Sequence, residues 1–185
     1  MPVEGSSAQE GKVFVFDGVA ASCRGDTILI CYQKAARFER THWLFDRIDD
    51  FMRALPAGGV IALMVVLETA DPPDALTRAE NNKRLTRLGD AVRCLVTVPV
   101  GDAFRMAIVR SFMRGLNLAL GHSKTRLVSD TVEAGLVRML EAASPATPSR
   151  AQIARDLGAL YRALGVIPPE LRFGATARTT VAPPR

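Results

Sequence analysis

Gly58-Gly59-Val60-Ile61-Ala62-Leu63-Met64-Val65-Val66-Leu67-Glu68-Thr69-Ala70-Asp71-Pro72-Pro73-Asp74 is the stretch on which the fold turns. Its eight central residues are apolar without alternation, rich in β-branched side chains, and bounded by a glycine pair and an acidic-proline turn. A run this short and this apolar predicts a strand buried on both faces, and such strands belong to parallel sheets covered by helices. Asp71-Pro72-Pro73-Asp74 suits a helix start, because proline fits the first turn and aspartate accepts its free amides. The helix continues through Ala75, Leu76, Ala79, Leu85 and Leu88, with Arg78, Glu80, Lys83, Arg84 and Arg87 on its other faces.

The same alternation extends in both directions. Upstream, Lys12-Val13-Phe14-Val15-Phe16-Asp17 and Thr27-Ile28-Leu29-Ile30-Cys31-Tyr32 read as two strands of a hairpin around the turn Cys23-Arg24-Gly25-Asp26. The Arg-Gly-Asp triplet there reads as a turn rather than an adhesion motif. Thr41 is the expected N-cap of a helix carrying Leu44, Ile48, Phe51 and Leu55. Downstream, Val92–Val98 is a strand closed by Pro99. A long helix spans 102–120 with Phe104, Ile108, Phe112, Leu116 and Ala119 on one arc and Gly121 as its C-cap. Arg126-Leu127-Val128 is a short last strand, and Asp130 with Glu133 opens a helix through Val132, Leu136 and Leu140. The order β-β-α-β-α-β-α-β-α over residues 11–143 predicts an α/β domain with a small mixed, mainly parallel sheet. Residues 1–10 read as a flexible N-terminus and 144–148 (Ser-Pro-Ala-Thr-Pro) as a linker. Residues 149–173 read as a C-terminal helical extension with Ile153, Leu157, Leu160 and Leu164 on a stripe, and 174–185 as a disordered tail.

The 185 residues carry a net charge of +5. Of the 24 basic and 19 acidic residues, six and two lie from Ser149 onward, leaving 18 against 17 in the body. Any electrostatic partner, nucleic acid included, is therefore to be sought at Arg150–Arg185. The longest apolar run is eight residues, far short of the roughly 20 that a membrane span needs. The N-terminus lacks the basic-then-apolar order of a secretion signal. Cys23, Cys31 and Cys94 form no C-x-x-C pair, so neither a disulfide framework nor a zinc site is expected. A cytoplasmic location follows as the expectation.

Over residues 11–143 this element order resembles the STAS superfamily, the fold of anti-sigma-factor antagonists and of the cytosolic domains of sulfate transporters. The likeness rests on the opening hairpin, the buried central strand and the ending Arg126-Leu127-Val128-Ser129-Asp130-Thr131-Val132-Glu133-Ala134-Gly135-Leu136. That ending is similar to the short strand, polar cap and helix with which the family closes. After the central strand the family carries Asp-Ser-Ser/Thr-Gly, whose serine a partner kinase phosphorylates. Glu68-Thr69-Ala70-Asp71-Pro72-Pro73 stands in that place here. Thr69 alone matches the phosphoacceptor and the glycine is missing; turning and capping the chain explains Thr69 and Asp71 as well. The resemblance implies a non-enzymatic interaction domain in a bacterial signalling or regulatory assembly, with a regulator, kinase or sigma-factor system as partner. Asp71, Asp74, Arg78, Arg84 and Arg87 would form the docking surface.

Two rival readings use other residues. Glu68, Asp71 and Asp74 cluster near one strand end and could serve an α/β enzyme or small-ligand binder as an acid/base or Mg²⁺ site, although capping accounts for the same side chains. A nucleic-acid-associated protein would use the basic tail. The sequence has no Gly-x-Gly-x-x-Gly or Walker loop and no Gly-x-Ser-x-Gly elbow, so no cofactor is expected. His42 and His122 fall at helix ends, and Arg110 with Arg114 is read as a solvated or protein-docking pair. The broad apolar arc of the 102–120 helix, with Met106 and Met113, predicts self-association, with a homodimer as the form to test.

Overall fold

The structure is a computed structural model and describes residues 11–55, 58–67, 74–119, 121 and 124–168, apart from the side chains of residues 90, 103–105, 108, 112, 116 and 119. The strands are β1 (Val13–Phe16), β2 (Val19–Arg24), β3 (Thr27–Tyr32), β4 (Val60–Leu67), β5 (Val92–Val100) and β6 (Arg126–Val128). The helices are α1 (Phe38–Ala54), α2 (Ala75–Leu88), α3 (Ala103–Ala119), α4 (Val132–Leu140) and α5 (Arg150–Ala163). The strands form one sheet in chain order. β1, β2 and β3 pair antiparallel, and β3 through β6 pair parallel. This is the mixed, mainly parallel α/β sheet that the sequence predicts.

β4 shows why. Ile61, Leu63, Val65 and Leu67 enter one apolar layer, which they share with Val132, Leu136 and Met139 of α4, lying against β4 and β5, and with Ile153, Leu157, Leu160 and Tyr161 of α5, lying over β1–β3. Val60 and Ala62 enter the opposite layer with Leu44, Phe45, Ile48 and Phe51 of α1, and Leu85 and Leu88 of α2 pack against it. A strand that serves two cores has no polar face to show. Crossovers that step in one direction along a sheet place their helices on one side when they share a right hand, which puts α1 and α2 together. α3 runs beside β5 and β6.

Three expectations change. The opening hairpin is a three-stranded meander, because Asp17-Gly18 makes a two-residue turn and Val19–Arg24 is a strand of its own. Asp17 and Gly18 have φ of 41° and 82°, as a type I′ hairpin turn requires. Thr41 is buried inside α1, not at its start; the N-cap is Arg37, which makes no side-chain cap. Thr131, one residue after Asp130, caps α4 by accepting from Ala134 N–H at 3.1 Å.

The C-terminal segment is the largest departure. α5 covers the sheet, with Ile153, Leu157, Leu160 and Tyr161 at most 3% exposed, so residues to Ala163 complete a core rather than extend from it. The Arg-Gly-Asp turn between β2 and β3 holds this segment in place. Arg24 donates to both carboxylate oxygens of Asp156, at 2.7 and 3.2 Å. Gly25, at φ 56°, lies so close to Ala146 that a Cβ would sit 2.1 Å from its carbonyl oxygen. Asp26 is 4% exposed and accepts from Ser144 Oγ at 2.6 Å, from Thr147 Oγ1 at 3.0 Å and from Arg93 Nη2. The presumed linker is thus hydrogen-bonded to a buried carboxylate, which satisfies that charge.

All three cysteines are buried and none is in a disulfide. Burial pushes the Cys23 thiol up to about 12, and desolvation, ahead of the charge of Glu141, raises Cys94. A raised thiol pKa keeps the sulfur protonated, and only the thiolate reacts. The native protein at about pH 8 is therefore expected to stay unlabelled by an aromatic disulfide reagent that modifies the same cysteines quickly in guanidinium. Stoichiometric labelling of the native chain within seconds would contradict this burial.

Candidate partner-binding edge

The carboxyl ends of the parallel strands, where α/β sheets place their ligands, form one rim. The Asp17-Gly18 turn stands there beside the end of β3, since Val19 pairs with Tyr32. The Asp17 carboxylate accepts from Lys34 Nζ at 2.6 Å and from Arg40 Nε at 3.0 Å. The Lys34 and Arg40 bonds hold its pKa below the ordinary aspartate value. Arg40 also donates through Nη1 to the Ala35 carbonyl at 2.6 Å, fastening the β3–α1 connection. Phe16 stacks on Trp43 with ring centroids 5.4 Å apart, so Trp43 joins β1 to α1.

α2 begins at the same rim. Asp74, the last residue of the 71–74 stretch read as a helix start, is its N-cap and accepts from Thr77 N–H at 2.8 Å. That backbone bond, with Arg37 as a lesser contributor, lowers the pKa of Asp74. Arg37 Nη1 stands 3.6 Å from its carboxylate. Farther along, α2 leans on α1 through charge. Arg84, its side chain 12% exposed, donates to Glu80 at 2.8 Å, to Asp49 at 3.2 Å and to Asp46 at 3.4 Å. Its Nη2 also lies 2.8 Å from His42 Nδ1. Arginine only donates, so Nδ1 accepts and the imidazole proton sits on Nε2, facing Asp46 at 3.5 Å. Arg87 pairs with Asp49. The bond from Arg84 lowers the pKa of Glu80, and its partners, Glu80 first, raise that of Arg84.

Of the residues read as a docking surface, then, Asp74 caps α2, Arg84 and Arg87 face α1, and Arg78 is exposed. Glu68, Thr69 and Asp71 lie outside the described residues, as do His122 and residues 169–185. The acidic trio is represented by Asp74 alone, and its carboxylate is committed to the helix cap. Arg110 and Arg114 close on Asp130, at 3.2 and 2.9 Å, and Arg150 pairs with Glu133. Met106 is buried and Met113 half-buried, while the side chains of Phe104, Ile108, Phe112 and Leu116 lie outside the described residues. No helix among the described residues is long and apolar enough to cross a membrane. Among them, no group of three or more histidine, cysteine or acidic side chains stands close enough to share a metal ion. The Asp26 cluster escaped sequence reading because its members are 67, 118 and 121 residues away along the chain.

No family model and no curated protein matches this chain. One solved structure does, an uncharacterized protein of the DUF3478 family from Shewanella loihica PV-4, described as having a SpoIIAA-like fold. The match covers 68% of this chain and 97% of that one at a TM-score of 0.52, with 11% sequence identity. At that identity the likeness concerns the fold alone. The resemblance to the STAS superfamily therefore holds for the architecture: this chain has a STAS-like fold.

Proposed function

We propose that this chain is a non-enzymatic, STAS-like interaction domain working in a bacterial cytoplasmic signalling or regulatory assembly, and that it docks a partner protein through residues 68–90. The observation that carries the reading is the setting of α2. Of its fourteen residues Thr77 alone is buried, and its ties to α1 are largely ionic. Leu76, 64% exposed, and Arg78 stand at its rim end. A helix mounted in this way offers an apolar anchor and a charge to a partner's groove. Thr69, just ahead of it, is the proposed phosphoacceptor; a phosphate there would add roughly −1.5 to −2 charges beside the helix start and alter the docking surface.

The test is affinity capture from the native host, followed by binding of the purified pair. Leu76→Asp combined with Arg78→Glu is expected to weaken the complex at least about tenfold. Val137→Asp, on exposed α4 surface, is expected to leave it unchanged. Equal affinity of wild type and the α2 double variant would end this reading. Identical binding by Thr69→Ala, Thr69→Glu and wild type would remove the phosphoacceptor.

A further inference from the structure

At the other end of the sheet, where the amino ends of β5 and β6 pass the carboxyl end of α2, lies a groove of about 250 Å³. Leu85, Thr86, Val92, Arg93, Thr125 and Arg126 line it. Among the described residues six arginines are half-buried: Arg24, Arg40, Arg84, Arg93, Arg110 and Arg126. The first five each have a carboxylate partner, in Asp156, Asp17, Glu80, Asp26 and Asp130. Arg126 has none, and burial lowers its pKa. A cation withdrawn from water without a counter-charge is costly, and a chain that pairs its other half-buried arginines leaves this one open to the groove.

The donors beside it agree. Arg93 Nη2 is held by Asp26, but its Nε is buried and has no hydrogen-bond partner. Thr86 and Thr125, whose hydroxyls can donate, line the groove beside the two arginines. A carboxylate offers two oxygens to such donors, and a phosphate monoester three with up to two charges. Leu85 and Val92 pack against the core and give the groove an apolar wall. The carboxyl end of α2 carries partial negative charge, so an anionic head belongs on the Arg126 side and an uncharged body toward Leu85. The space equals that of about eight liquid waters, room for a single ring with its phosphate and too little for a nucleotide.

We propose that this groove binds a small phosphate monoester with a compact apolar body, its phosphate paired with Arg126 and bonded by Arg93 and the two threonines. The site lies away from the α2 rim and stands without the partner-docking reading. The probe is phenyl phosphate, titrated into the full chain by amide NMR and calorimetry beside inorganic phosphate and benzoate. The expected result is shifts at Leu85–Val92 and Thr125–Arg126, with phenyl phosphate bound more tightly than either fragment. Arg126→Gln should weaken it at least about tenfold and Arg126→Lys less, because a lysine keeps the charge and loses the fork. The melting temperature of Arg126→Gln should not fall, since an unpaired charge is removed; this separates lost binding from lost folding. No binding by wild type up to about 10 mM, shifts confined to other residues, benzoate bound as tightly as phenyl phosphate, or unchanged affinity in Arg126→Gln would each overturn the proposal.

Discussion

A chain ending at Pro148 is expected not to fold. Removing α5 takes away Ile153, Leu157, Leu160 and Tyr161, all essentially withdrawn from water. At about 1.5–3 kcal/mol for each large apolar side chain, the loss is roughly 6–12 kcal/mol. Domains of this size are stable by about 5–15 kcal/mol in all. The truncation also bares the part of the sheet that α5 covers, with Ala20 of β2 and Leu29 and Cys31 of β3 among the side chains exposed. The expected product lacks a cooperative thermal transition and binds a hydrophobic dye, while a chain ending at Pro168 melts like the full-length protein. A cooperatively folded 1–148 fragment would show that α5 is an accessory after all.

Asp26→Ala is the point substitution expected to cost most. It strips Arg93 of its carboxylate and leaves the Ser144 and Thr147 hydroxyls without their acceptor. Breaking a buried pair by removing one partner costs about 3–5 kcal/mol. The Arg93 side chain keeps 26% exposure, which places the expected loss near the lower bound, about 3 kcal/mol. For a chain of this length that is a fall of roughly 6–12 °C in melting temperature. Adding Arg93→Met to Asp26→Ala removes the stranded charge and is expected to restore part of the loss, a coupling that a double-mutant cycle measures. A change below about 0.5 kcal/mol on Asp26→Ala, the range of ordinary surface substitutions, would mean that the cluster does not hold the C-terminal segment.

How much of this was legible in the chain varies by element, for physical reasons. Val60–Leu67 announces itself because a strand shared by two cores must be apolar at every position. Asp74 announces α2 because the capping interaction is local. β2 was hidden by composition: Val19-Ala20-Ala21-Ser22-Cys23 is made mostly of small residues that favour no strand. The signal that would have revealed it is Asp17-Gly18, a dipeptide suited to the positive φ of a hairpin turn. The stripe of α5 was visible, but not the surface that buries it. Ser144-Pro145-Ala146-Thr147-Pro148 has the composition of a linker, and the hydroxyls of Ser144 and Thr147 acquire meaning only when folding brings Asp26 to them. The rim was legible in outline, through Asp74 and Arg78. The pairing of Arg84 and Arg87 with α1 was not, since it depends on the packing of α1 beside α2. The Arg93/Arg126 groove joins residues from three elements and leaves no local pattern.

The bond between Arg24 and Asp156 spans 132 residues, and that separation governs events during synthesis. At about 5–20 residues per second, β2 emerges roughly 7–26 seconds before the helix that covers its sheet is complete. Throughout that interval one apolar layer lacks its final lid, and contacts of such long range form late. The nascent chain is thus exposed to chaperones and to aggregation until the last described helix has left the ribosome.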